Sequence, residues 1–275
     1  MTAVPGKVVV VTGSTRGIGR AIADAVAAAG NTVVVSSRTE GAVDRAVAAL
    51  STSGATASGR TCDVRREEDL DALLTHALES HGRVDVWINN AGISSGYRPL
   101  DELSAEEARE IVDTNLTGTV LGCRVAIAYF REHAERGGHV INMTGRGYRG
   151  EATPYTAVYA ATKTAVASLT RSLAAENRTM PISVNAVVPG MVATDFYRDI
   201  KISPRLTATA DNWRYALDAF GVPAEEVGAL FVRLVELEPG SETGRIHSLM
   251  TPARTARGIF TLTRHRLAGR MRREP

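Results

Sequence analysis

Five short runs along the chain are apolar at nearly every position instead of at alternate ones: Val8 to Thr12, Thr32 to Ser36, Val84 to Asn89, His139 to Met143 and Ile182 to Val188. A strand that is apolar throughout is covered on both faces. Between these runs apolar residues recur at helical spacing, over Gly17 to Ala29, Gly41 to Leu50, Glu67 to Ser80, Ala105 to Glu132, Tyr155 to Asn177 and Ala224 to Leu237. Strand and helix therefore alternate, which predicts an α/β fold with a doubly wound parallel sheet and helices on both faces. No linker, charge run, repeat or low-complexity tract divides the chain before its end. The expectation is a single domain over residues 1–250 with an Arg-rich tail over 251–275. The longest stretch without clear periodicity, about Met191 to Val222, contains Pro204 and Trp213 and lies just beyond a strand's carboxyl end, where it is expected to cover a substrate.

Composition narrows the class. Among 275 residues, 44% are hydrophobic and 23% charged, and no apolar run approaches the roughly 20 residues that span a bilayer, so a soluble globular protein is expected. The start, Met1 to Lys7, has no signal-peptide pattern and leads straight into the first run, which points to a cytoplasmic location. Cys62 and Cys123 lack ligand spacing and read as reduced thiols, and no metal site is expected. The net charge of +2 hides a basic end: Arg254, Arg257, Arg264, Arg266, Arg270, Arg272 and Arg273 face one acid, Glu274. A solvated or subunit-contacting tail is expected there, not one that binds nucleic acid or an anionic membrane, since no nucleic-acid motif accompanies it.

Chemistry enters at the first turn. Gly13, Ser14, Thr15, Arg16, Gly17, Ile18 and Gly19 follow the first strand and open the first helix. Helix N-terminal amides favour a pyrophosphate there, and glycines clear the way for it, as in a Rossmann-type dinucleotide site. An acid ordinarily ends the second strand of an NAD enzyme, but here the residues are Ser36, Ser37 and Arg38. Arg38 and Arg16 can hold a 2'-phosphate between them, so NADP(H) is expected ahead of NAD(H).

Tyr159 and Lys163 lie four apart in a helical stretch and so share one face. A free tyrosine has a pKa of about 10, and a neighbouring ammonium stabilises its phenolate and brings it toward the working range.

With these motifs the sequence resembles the short-chain dehydrogenase/reductase family from Lys7 to about Met250. Also in order are Cys62-Asp63-Val64, Asn89-Asn90-Ala91-Gly92, Asn115 in a long helix, and Pro189-Gly190-Met191-Val192-Ala193-Thr194. The resemblance implies that Asp63 and Val64 contact the adenine and that Asn90, Ala91 and Gly92 line the cofactor. It places Thr194 and the backbone near Val192 at the nicotinamide, and Pro189 and Gly190 among the cofactor-binding residues. It further implies that Tyr159 passes a proton to the carbonyl oxygen, Lys163 holds the ribose and Asn115 positions a relay water. A homodimer or homotetramer, and a small-molecule carbonyl or alcohol substrate, are implied too.

One family residue does not map. The serine expected at the end of the fifth strand, which hydrogen-bonds the substrate oxygen, is replaced by Gly145 or, counting back from Tyr159, by Arg146. Thr144 is the candidate substitute, although alternation along a strand turns it to the other face unless the chain has already bent. Arg146, Tyr148, the cover or the substrate itself are the alternatives. Arg146 and Arg149 can also meet an anionic substrate. The expected activity is an NADP(H)-dependent ketoreductase or alcohol dehydrogenase. A redox-type epimerase and a cofactor-binding protein with little catalysis are the rival readings.

Overall fold

The central strand, β1 (Val8–Val11), is four valines because the sheet is covered on both sides. The computed structural model describes residues 6–194, 200–206, 212–269 and 271. Chain order is β1, α1 (Gly17–Ala28), β2 (Thr32–Ser37), α2 (Glu40–Thr52), β3 (Ala57–Thr61), α3 (Glu67–His81) and β4 (Val86–Asn89). There follow α4 (Ala105–Val112), α5 (Gly118–Glu132), β5 (Gly138–Met143), α6 (Ala157–Glu176), β6 (Ile182–Val188), α7 (Asn212–Phe220), α8 (Ala224–Glu236), β7 (Ile246–Ser248) and α9 (Pro252–Leu267).

All seven strands are parallel, in the order β3-β2-β1-β4-β5-β6-β7. Alternate valines of β1 face opposite layers. Val9 and Val11 pack with Ile22, Leu50 and Phe231 from α1, α2 and α8, whereas Val8 and Val10 pack with Leu70, Phe130 and Ala174 from α3, α5 and α6. The strand order reverses between β1 and β4, which opens a crevice beyond their carboxyl ends. The sheet is thus the doubly wound parallel one, in a single domain.

Three elements differ from the pattern along the sequence. The stretch 105–132 is not one helix: a π-turn, Asp113–Thr117, separates α4 from α5 and carries Asn115. Turns of that width inside helices commonly mark functional positions. The proposed cover, 191–222, includes the short helix α7 and a 3₁₀ turn at Pro204–Leu206, while residues 195–199 and 207–211 lie outside the described residues.

The Arg-rich end is the third. Its described part is a helix, α9, started by Thr251, whose hydroxyl accepts from the Arg254 amide at 3.2 Å, and by Pro252 in the first turn. It packs against α7 through the buried Gly258, where a Cβ would run into the Phe220 ring. Arg254 fixes its start, donating to the Leu249 carbonyl at 3.0 Å and pairing with Glu226 at 2.8 Å. His265 meets Asp218 at 2.8 Å and lies against the Tyr215 ring. Arg270 and 272–275 lie outside the described residues.

Candidate active site

The glycine turn is built as a cradle. Gly13 and Gly17 have φ of 63° and 58°, a region that L side chains rarely adopt, and a Cβ on Gly13 would sit 2.9 Å from the Ala91 Cα. Arg16 precedes α1 without a side-chain cap, so the first amides of the helix stay open to the crevice. Ser14 faces inward: its hydroxyl donates to the Val11 carbonyl at 2.7 Å and accepts from the Ser36 amide at 3.0 Å, tying the turn to β2. Asn90 braces the turn from β4's end, donating to the carbonyls of Thr12 and Gly13 at 2.9 and 3.0 Å. The Thr12 hydroxyl accepts from the Asn90 and Ala91 amides. A backbone anion site of this shape, widening into a deep cavity, fits the pyrophosphate of a dinucleotide.

At the end of β2 no carboxylate faces the crevice from Ser37 or Arg38. Arg38 is exposed and approaches Glu110 at 3.5 Å, an exposed contact worth little and easily exchanged. Asp63 is gripped by Arg65, whose guanidinium lies 2.5 and 2.9 Å from its carboxylate oxygens and holds that carboxyl below its usual range. Arg65 was not anticipated from sequence: the family-like pattern ends at Val64, and only the bend after β3 brings the guanidinium back over Asp63.

Tyr159 and Lys163 sit on one face of α6, the Lys163 Nζ 5.4 Å from the centre of the Tyr159 ring. Lys163 is 3% exposed and donates to the Met143 carbonyl at 3.0 Å. Burial lowers its pKa from 10.5 to about 8. Asn115 is fully buried. Its side chain accepts from the Ile93 amide at 2.8 Å and donates to the Ile93 carbonyl at 3.0 Å, so it clamps the segment after β4 from both sides. Those two bonds cross from the π-turn to the β4 loop and give the wide turn its reason.

Thr144 is buried, and its hydroxyl donates to the Lys163 carbonyl at 2.8 Å. The only proton of that hydroxyl is spent inside the fold, against the expectation that it would face a substrate oxygen. Gly145 comes next, and a Cβ there would lie 2.6 Å from the Tyr159 hydroxyl. The phenol therefore takes the room that a side chain at 145 would need. Gly145→Ala should push the phenol off this spot while leaving the glycine turn untouched; any turnover that depends on the phenol should fall about tenfold or more in steady-state kinetics, and affinity for a dinucleotide should change little.

Under this floor lies a buried polar chain that the sequence pattern did not disclose. Trp87 donates to Asn89 at 2.9 Å, Asn89 to Asn142 at 2.9 Å and Asn142 to Thr170 at 3.0 Å. It locks β4, β5 and α6 together behind the face that carries Tyr159 and Lys163. At the rim, Tyr155 has φ of 66°, the one non-glycine left-handed residue among those described, and stacks edge-on against Tyr97 at 5.0 Å.

One cavity of about 1240 Å³ joins these parts. Gly13, Thr15, Arg16, Gly17, Ile18 and Gly19 line it, as do Arg38, Asp63 and Val64. Asn90, Ala91, Gly92, Thr144, Tyr159, Lys163, Pro189, Gly190 and Thr194 complete the expected set on the wall, whereas Ser14, Asn115 and Val192 stand behind it. Asn212, Ala216 and Phe220 of α7, inside the stretch expected to cover a substrate, also line the cavity, and Thr255, Leu262 and Arg266 of α9 form a wall that sequence reading missed.

Residues 7–204 match the model of the family described as short chain dehydrogenase, and the chain belongs to that family. Within it, the chlorophyll(ide) b reductase NOL of Oryza sativa subsp. japonica, a chloroplastic protein, is 37% identical over 246 residues, covering 87% of this chain and 69% of its own length. The chain spans 40 to 69% of the length of such rice reductases. A crystal structure of a 3-ketoacyl-(acyl-carrier-protein) reductase from Brucella melitensis complexed with NADH superposes with a TM-score of 0.78 at 27% identity, over 89% of this chain and 96% of that one. An actinorhodin polyketide ketoreductase with NADPH gives 0.77 at 30% identity, over 89% and 95%. The chain is thus of the short-chain dehydrogenase type, and the two solved structures it resembles are described with NADH and with NADPH. No described helix is long and apolar enough to cross a membrane.

Proposed function

We propose that the protein is an NADPH-dependent reductase of an aldehyde or ketone, with Tyr159 as the proton donor. The observation that carries this reading is the Tyr159 phenol seated against Gly145 with the buried Lys163 ammonium beside its ring. When bound, a nicotinamide dinucleotide supplies the hydride. Every other task falls to the chain. The Tyr159 O–H gives its proton to the substrate oxygen, and the phenolate left behind is stabilised by the neighbouring Lys163 ammonium. Asn115 acts by positioning, since its amide is spent on Ile93 and holds in place the 90–93 segment that lines the cavity. Thr144 steadies α6 and donates nothing to the substrate, so Tyr159 is the principal hydrogen-bond donor to the substrate oxygen.

The cofactor is NADP(H). Arg16 and Arg38 both line the cavity, and the contact of Arg38 with Glu110 is exposed and easily exchanged for a 2'-phosphate. Arg38→Asp should shift the ratio of kcat/KM for NADPH over NADH by about 10²-fold toward NADH, the loss expected for one charge-assisted phosphate contact turned repulsive. An unchanged ratio would remove the assignment.

A homo-oligomer built on α4, α5 and α6 is the proposed assembly, supported by the exposed Val112 and Val120 on the first two of these helices. The two free, buried cysteines suit a reducing compartment, and we place the protein in the cytoplasm.

A further inference from the structure

The cavity wall is unevenly charged. Six cations line it, Arg16, Arg38, Arg146, Arg149, Lys163 and Arg266, against two carboxylates among the described residues, Asp63 and Glu151. The two acids leave an excess of positive charge on the wall even though each faces an arginine of it, Asp63 near Arg38 and Glu151 near Arg149. Asp63 is engaged by Arg65 at 2.5 Å, and Glu151 accepts from the amides of Gly147 and Arg149 at 2.9 and 3.0 Å. Arg16 and Arg38 serve the adenosine end in the reading above, and Lys163 lies beside Tyr159.

Three arginines remain. Arg146, Arg149 and Arg266 line the cavity and have no ion pair with any described residue, whereas Arg98 and Lys201 pair with Glu107 at 3.0 and 2.9 Å, Arg205 with Asp101 at 2.8 Å and Arg254 with Glu226 at 2.8 Å; the exposed Arg257 and Arg264 of α9 also lack such a pair but do not line the cavity. Arg146 adjoins Gly145, which lies beneath the Tyr159 hydroxyl. Arg266 is placed by α9, on which Thr255, Leu262 and Arg266 are spaced by seven and four residues and so form one stripe turned to the cavity. That stripe is held firmly. Gly258 lets the helix close on Phe220, and the Arg254–Glu226 and His265–Asp218 pairs fix its two ends. A cluster of like charges around a concave, partly apolar space repels itself and attracts an anion.

We propose that the cavity takes a carbonyl compound that carries a carboxylate or phosphate apart from its reacting carbon, and that Arg266 of the C-terminal helix, with Arg146, receives that anion. The inference deepens the reductase reading and rests on it for the carbonyl. It makes α9 part of the specificity apparatus and explains why an arginine-rich segment folds back over the cavity.

The test compares para-carboxybenzaldehyde with its neutral methyl ester by calorimetry on protein saturated with NADP+, which has no hydride to give, in the wild type, in Arg266→Gln and in Arg264→Gln. Arg264 is exposed on α9 and does not line the cavity, so its variant controls for a general change of charge. The wild type should bind the acid about tenfold more tightly than the ester, as one charge-assisted contact provides. That preference should fall below about threefold in Arg266→Gln and persist in Arg264→Gln, with the NADPH dissociation constant unchanged in both. Equal binding of acid and ester by the wild type overturns the proposal, as does a preference that survives Arg266→Gln. So does an NADPH affinity that falls in Arg266→Gln while the preference stays, which would give Arg266 to the cofactor. Because binding is read without turnover, an acid preference lost in Arg266→Gln together with no reduction of either aldehyde would sink the reductase reading and leave the anion site standing.

Discussion

Tyr159→Phe is expected to lower kcat by about 10³-fold, within the range that a positioned general acid contributes. The substitution removes one oxygen. The ring stays beside Lys163, and the fold should not notice. NADPH binding, followed by quenching or enhancement of cofactor fluorescence, should change far less than kcat, because the glycine turn, Arg38 and Asn90 are untouched. A variant that retains more than a tenth of wild-type turnover would mean that some other group protonates the product. Tyr148, whose phenol also lines the cavity, would then be the first to examine, since Thr144 has spent its proton on Lys163.

Lys163→Met is expected to cripple the enzyme and steady the protein. The Lys163 ammonium is buried with the Met143 carbonyl as its hydrogen-bond acceptor, and burial lowers its pKa from 10.5 to about 8. Below about pH 8 the lysine is charged both folded and unfolded, and the folded state bears the whole desolvation penalty. Between pH 8 and 10.5 the folded form sheds its proton first, so stability contributed by this group rises with pH through that window. The difference, 10.5 − 8 = 2.5 units at 1.36 kcal/mol each, corresponds to about 3 kcal/mol at neutral pH. Methionine fills the same slot without charge and leaves the Met143 carbonyl unpaired at a cost of about 1 kcal/mol. A net gain of about 1 to 2 kcal/mol, several degrees in Tm, is expected. Over the same change kcat should fall about 10² to 10³-fold, since the phenolate loses its counter-charge. Thermal melts of both proteins from pH 7 to 10 supply the check: the gap between them should narrow as pH rises. A variant less stable at pH 7 would show that the ammonium is better solvated than its burial implies.

Much of the site could be read from residues alone, because it is written in backbone requirements and short spacings. Gly13 and Gly17 need left-handed φ, and Tyr159 and Lys163 need only one helical turn, so local sequence suffices. What escaped depends on contacts between distant segments. β3 reads Ala-Ser-Gly-Arg-Thr, an edge strand half exposed, and presents no apolar run. The π-turn at Asn115 exists because of bonds to Ile93, which no helical periodicity encodes. Ser14 and Thr144 have the right residue type in the right place, and their hydroxyls nonetheless turn inward to Val11 and Lys163.

The C-terminal helix is the sharpest case. Its large apolar residues Ile259, Phe260 and Leu267 are exposed, at 57, 65 and 83%, while the docked side is made by Gly258, Leu262 and polar residues. The hydrophobic pattern thus argues against docking, and the arginines suggest a solvated tail. Only the fit of Gly258 to Phe220 and the two flanking ion pairs reveal a wall of the cavity.

Transfer of deuterium tests the central claim most directly. With NADPH carrying deuterium on the reactive face of the nicotinamide ring and para-carboxybenzaldehyde as acceptor, mass spectrometry of the alcohol should find one deuterium on the carbinol carbon with wild-type protein, and almost no alcohol with Tyr159→Phe. Alcohol formed without deuterium, or formed as readily by Tyr159→Phe, would contradict the account.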